Sequence, residues 1–209
     1  MLIAQGEITT TKNGQFVDGE TKDATFVSDD ELKAVKKGGE PKQGKLTEYE
    51  TVPYKEAQAG NTKGMRGYKG DKLTGDHIPS KAALVKAEEN KLGRKLNSAE
   101  KRQINEDGVT VVLKEDTHEN LSRTYGNKNK PLIDDDAKDL GLAFRKDAEA
   151  IFQGLHKDKA LNSDIVGAYM RAYRENVRKG VFQHSRQADD IFMKYLNKVK
   201  TGTPNSTGN

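Results

Sequence analysis

The chain has 209 residues, 33% of them hydrophobic and 33% charged, with a formal net charge of +4 at pH 7. That length holds one ordinary domain, or a small domain with appendages, and the modest apolar content limits its core. No apolar run is long enough to span a membrane and no charged-then-apolar leader is visible; zero cysteines exclude disulfides, thiolate zinc sites and cysteine nucleophiles.

The charge is unevenly placed. Residues 60–130 hold 15 Lys and Arg against 10 Asp and Glu, whereas residues 1–59 hold 8 against 11. A basic middle suits a polyanionic partner, although a segment of this charge taken alone is more often a solvated surface.

Residues 1–60 alternate short apolar clusters with Gly, Thr, Asp and Lys, which predicts an accessory, weakly structured region. Within it, 24–27 and 49–52 are short strand candidates, 28–32 is a helix start, and 36–43 is loop. A Gly-spaced basic stretch at 63–70 leads to Gly75-Asp76-His77-Ile78-Pro79. Ser80 is placed to cap a helix over 81–92, with Gly93 just past its end. Asn97 and Glu100 form a capping box for a helix to about Asn105. The β-branched run 109–113, bounded by Gly108, is the clearest strand. Asp116 with Glu119 gives another capping box, which places His118 in the first turn of a helix ending near Gly126.

The last third reads as helical. Leu140, Phe144, Ile151 and Phe152 mark a helix over 135–153, and Leu155 continues its stripe. Ser163 or Asn162 caps a helix bearing Ile165, Tyr169, Met170 and Tyr173, stopped by Gly180. A final helix runs through Tyr195 to Val199. Residues 131–200 thus form a helical subdomain and 201–209 a flexible tail.

Two of the four histidines sit in short polar motifs beside an aspartate, Asp76-His77 and Asp116-Thr117-His118. Cutting a phosphodiester requires an activated water and compensation for charge on the phosphoryl oxygens and leaving group. Asp76 offers a hard anionic oxygen suited to Mg²⁺ or Mn²⁺, and His118 a nitrogen that also suits Zn²⁺ or Ni²⁺. His77 lies on the opposite side of the extended backbone from Asp76. With an unperturbed pKa of about 6.5, it is a competent base near neutral pH.

Each of these residues has a plainer alternative. Asp76 can cap a turn with His77 in solvent, and His118 can be an exposed helical residue capped by Asp116. His156 and His184 read as surface or capping residues, and the aromatic stripes after residue 135 as packing faces. Tyr68 and Tyr125 are suited to base stacking or to a structural role.

The order of an Asp-His step, an excursion, a clear strand and a His-bearing helix resembles the HNH, or His-Me finger, endonuclease superfamily. More closely, it resembles the nuclease toxin domains at the C-termini of bacterial secreted effectors. There an Asp-His-Ile-Pro element pairs with His-x-x-x-Ser-x-Thr-x-Gly, which reads here as His118, Ser122, Thr124 and Gly126. The resemblance covers roughly residues 64–130. It implies an α+β fold: a ββα-metal finger core over 61–130 with the helical subdomain packed on it.

By the same resemblance His77 is the general base. Asp76 and His118 become ligands of one divalent ion, Mg²⁺ or Zn²⁺, with Mn²⁺ or Ni²⁺ also suitable. Arg123 becomes a clamp on the phosphate or leaving group. The basic residues Lys69, Lys72, Lys81 and Lys128, with Arg123, are the candidate nucleic-acid contacts. The orienting Asn of the family has no clear counterpart among Asn90, Asn97 and Asn105, which all lie in the excursion; the role is open, with a backbone carbonyl as one candidate.

The implied activity is metal-dependent hydrolysis of DNA, or secondarily RNA, without sequence specificity, because no recognition helix is identifiable. The implied setting is an effector without a cleavable signal peptide, used against competitor cells and acting in the target-cell cytoplasm. An acidic immunity protein would block its basic cleft. The rival from another class is a non-catalytic module that docks nucleic acid or an acidic partner. The two separate on geometry: a nuclease needs Asp76 beside His118 and His77 on the same cleft.

Overall fold

The computed structural model describes residues 9–10, 16–17, 44–58, 65–67, 70–128 and 130–201. The elements expected at 24–27, 28–32 and 36–43, the residues Tyr68 and Lys69, and the tail at 202–209 lie outside them.

The fold is mixed α+β. Strands β1 (Thr9–Thr10) and β2 (Phe16–Val17) form a small antiparallel pair. A second antiparallel sheet has the order β3-β5-β4, from Thr51–Pro53, Val109–Lys114 and Leu73–His77. Helix α1 (Tyr54–Ala57) follows β3; α2 (Lys81–Leu92) and α3 (Ser98–Asp107) fill the excursion between β4 and β5. Helix α4 (Glu115–Leu121) follows β5 directly. After the single turn of α5 (Ile133–Asp136) come three long helices, α6 (Leu140–Lys157), α7 (Ser163–Arg178) and α8 (Arg186–Thr201).

Local signals set most boundaries. The Ser80 hydroxyl accepts from the Ala83 N–H, and Gly93 takes the left-handed conformation that ends α2. The Asn97–Glu100 capping box opens α3. Helix α6 starts at Leu140, where its apolar stripe begins, rather than at the expected residue 135, because the Asp139 carboxylate caps it through the Leu142 N–H.

Helix α4 departs from expectation. It begins at Glu115 rather than behind an Asp116 cap, and no side chain caps it. The Lys72 carbonyl accepts from the Glu115 N–H at 2.9 Å instead, tying the helix start to the segment entering β4. His118 consequently sits in the last turn, and α4 ends at Leu121 rather than near Gly126.

Strand β5 is covered on both faces. Val109, Val111 and Leu113 enter the cluster that holds Phe144, Ile151, Tyr169 and Phe192, so the sheet and the long helices share one core. Val112 points the other way, into a small cluster with Leu46, Val52 and Ala57. Strand β3, from before residue 61, completes this sheet. The register pairs Asp76 with Val111 and His77 with Thr110, which sends the Asp76 side chain toward the helices and His77 to the opposite face.

Candidate active site

The last two residues of β4 supply the first pair of groups. Asp76 is only 2% exposed. Its Oδ2 accepts from the Tyr169 hydroxyl at 2.5 Å, and its Oδ1 lies 3.1 Å from Nε2 of His118. Burial alone would raise this carboxyl, but the hydrogen bonds from His118 and Tyr169 outweigh it and hold the group below the usual carboxylate range. Burial and the neighbouring Asp76 charge keep the Tyr169 hydroxyl protonated, well above its ordinary pKa, so it remains the donor.

His77 is held by its own backbone. Nδ1 lies 2.9 Å from the Pro79 carbonyl, which can only accept, so the hydrogen is on Nδ1 and the lone pair on Nε2. This carbonyl holds the ring in its orientation. Burial lowers the His77 pKa and the Pro79 and Asn105 backbone carbonyls partly offset that, so the ring is neutral at neutral pH. Nε2 is buried without a hydrogen-bond partner. It rests on Gly108, where a Cβ would stand 2.0 Å from it. The Tyr54 ring packs beside the imidazole at 5.4 Å.

His118 is buried and stands edge-on to Tyr125 at 4.9 Å, with Nδ1 unpartnered. Both histidines line one cleft of about 500 Å³, together with Tyr54, Lys81, Lys101 and Tyr125. Asp76 lies behind His118 rather than in the wall. Asp76 thus touches His118, and His77 shares the cleft with His118.

Among the described residues no group of three or more His, Asp or Glu side chains is clustered to hold an ion. Asp76 and His118 are two donors. Ligand atoms at right angles on bonds of about 2.1 Å would stand about 3 Å apart, which matches their separation of 3.1 Å. Oδ1 and Nε2 thus stand close enough to share one ion, which would replace the hydrogen bond between them.

Arg123 is not in the cleft. Its Nε donates to Asp147 at 2.6 Å, and its Nη2 to both oxygens of Asp136 at 2.9 and 3.0 Å. Two buried carboxylates from α5 and α6 thus occupy the fork that was expected to hold phosphate.

Of the candidate nucleic-acid contacts, Lys81 lines the cleft at the first position of α2. It has no ion pair among the described residues. Lys128 is exposed, hydrogen-bonded to the Glu119 carbonyl and 5.9 Å above the Tyr125 ring. Lys72 is exposed and contributes its carbonyl to α4 rather than its side chain to the cleft. Lys69 lies outside the described residues.

His156 is part-buried in α6, and His184 is part-buried 3.2 Å from Asp189 and edge-on to Tyr173. Neither approaches the cleft. Sequence reading missed Tyr169, which it took for packing, and Gly108, taken only for a strand boundary. A tyrosine hydroxyl on an apolar face needs a partner, which was the available signal.

No family model and no solved structure matches the chain. The chain is similar to the protein named Deoxyribonuclease CdiA of Dickeya dadantii (strain 3937), 42% identical over 87 residues, or 41% of this chain. The chain spans 3% of that relative's length.

Proposed function

We propose that this chain is a metal-dependent deoxyribonuclease of the HNH, or His-Me finger, kind, acting as a toxin against competitor cells. The observation that carries the proposal is that His118, paired with the buried Asp76, lines one cleft with a neutral, backbone-held His77. The choice of DNA over RNA rests on the name of the similar protein from Dickeya dadantii.

In this reading Asp76 and His118 hold one divalent cation, Mg²⁺ or Zn²⁺. When bound, the ion supplies charge neutralisation at the phosphoryl oxygens and the leaving oxygen. Nε2 of His77 accepts the proton of the attacking water, and the new P–O bond forms as the bond to the leaving oxygen breaks. Because Nε2 rests on Gly108, the substrate-bound form must open the contact between the ring and the turn entering β5. Lys81 attracts the DNA backbone, and Tyr54 and Tyr125 offer ring faces at the two sides of the cleft.

A cognate immunity protein would present an acidic face to this cleft, and secretion would deliver the toxin to the target-cell cytoplasm. The function is tested by metal-dependent cleavage of plasmid DNA and its loss in His77→Ala and His118→Ala. The same substitutions should leave the fold intact by circular dichroism.

A further inference from the structure

Helix α7 grips the end of β4 at two points. The Tyr169 hydroxyl donates to Asp76 at 2.5 Å, and the Asn176 side-chain amide donates to the Ile78 carbonyl at 3.0 Å. The two residues are seven apart, about two helical turns, and so share one face. His77 sits between the gripped residues. Tyr169 is fully buried and Asn176 is 1% exposed. The Tyr169 ring is held edge-on by Phe144 and Phe152, at 6.5 and 5.3 Å between centroids.

Packing does not ask for these polar groups. A phenylalanine at 169 would fill the same aromatic cage, and burying a hydroxyl beside a carboxylate is costly unless each satisfies the other. Likewise, an amide inside the apolar face of α7 is costly without partners, and it finds them in the Ile78 carbonyl and, at 2.9 Å, the Ala172 carbonyl.

We infer that Tyr169 and Asn176 are positioning residues of the proposed nuclease site. Tyr169 fixes the Asp76 carboxylate so that Oδ1 faces His118, and Asn176 fixes the Ile78–Pro79 peptide and with it the Pro79 carbonyl that orients the imidazole. The helical third of the chain is therefore part of the active-site scaffold. This inference rests on the function proposed above.

The test uses the full chain as Tyr169→Phe and Asn176→Leu, the second a near-isosteric loss of the amide. A core control, Phe192→Leu, destabilises the protein away from the cleft. Plasmid cleavage in Mn²⁺ is compared with Mn²⁺ affinity from titration calorimetry and with melting temperature. For Tyr169→Phe the expected result is a kcat reduced about 10- to 100-fold and an Mn²⁺ Kd weakened about 10-fold, with KM for DNA unchanged. Asn176→Leu lowers kcat but leaves Mn²⁺ affinity alone, because it acts on His77. Phe192→Leu lowers the melting temperature while keeping kcat.

If wild type cleaves, His77→Ala does not, and Tyr169→Phe matches wild type in kcat and Mn²⁺ affinity, the inference is overturned and the nuclease stands. A wild type that neither cleaves DNA nor binds Mn²⁺ overturns both. A loss of kcat in Phe192→Leu equal to that in Tyr169→Phe assigns the effect to stability and also overturns the inference.

Discussion

Gly108 lies directly beneath the imidazole of His77, so close that an added Cβ would stand 2.0 Å from Nε2 and 2.1 Å from Cε1. The backbone at Gly108 has φ −59°, a conformation open to any residue, so the requirement is for space rather than for glycine's freedom. Gly108→Ala must push the ring off its seat and strain its hydrogen bond to Pro79. A misplacement of about 1 Å in a catalytic group costs on the order of 100-fold, and that is the drop expected in plasmid cleavage. Measured kcat at wild-type level in a folded Gly108→Ala protein would show that the resting seat on Gly108 and the bond to Pro79 do not set the catalytic position of His77.

Arg123 should behave as a structural residue. Its guanidinium bridges Asp136 and Asp147, both about 5% exposed. Arg123→Ala leaves two buried carboxylates without their cation and should cost about 3 kcal/mol in urea unfolding. The KM for DNA should stay at the wild-type value at a temperature where the variant is folded. A raised KM with unchanged stability would restore the phosphate-clamp role that the sequence suggested.

Asp147 gives the protein an unusual pH dependence. Burial pushes its carboxyl up to about 7; Arg123 pulls it down, while the charges of Asp76 and Asp136 add to the rise. The folded state therefore binds a proton that the unfolded chain, with an ordinary aspartate, does not bind between about pH 4 and 7. Stability from this group is greatest at acid pH and is lost as pH rises through about 7. Asp76 works in the opposite sense, but its contribution is lost only below the ordinary carboxylate range. Urea unfolding at pH 5 and pH 8 should show wild type gaining more from acid than Asp147→Asn does. Equal pH dependence in the two proteins would contradict the assignment.

Lys81 stands at the first position of α2, in the cleft wall, where the helix dipole disfavours a cation and no acidic residue occupies the first turn. Bound phosphate would reverse that disadvantage. Lys81→Ala should weaken DNA binding alike across sequences and reduce the slope of log affinity against log salt by about 1. Fluorescence anisotropy in EDTA, which prevents turnover, measures both. An unchanged slope would place the DNA elsewhere.

How legible these features were in the sequence depended on how far apart the partners lie. Caps were readable: Ser80, Gly93 and the Asn97–Glu100 box act on neighbours within a few residues. The strand at 109–114 was readable because 109–113 are buried on both faces and its first four residues are β-branched. Tyr169 was not, since its partner Asp76 lies 93 residues away and nothing local marks where a buried hydroxyl points. Arg123 was misassigned for a related reason: Asp136 and Asp147 reach it only through the packing of α5 and α6. The start of α4 slipped because a backbone carbonyl, that of Lys72, replaced the side-chain cap the pattern suggested.

The most direct test of the account is incubation of purified protein with supercoiled plasmid in Mg²⁺, in Zn²⁺ and in EDTA, beside His77→Ala and His118→Ala prepared identically. The expected result is nicking and linearisation that require the metal and vanish in both variants. Cleavage that persists in EDTA, or that survives either substitution, would contradict the proposed chemistry. Well-folded wild type that leaves both plasmid and RNA intact in every metal would return the protein to the class of binding modules.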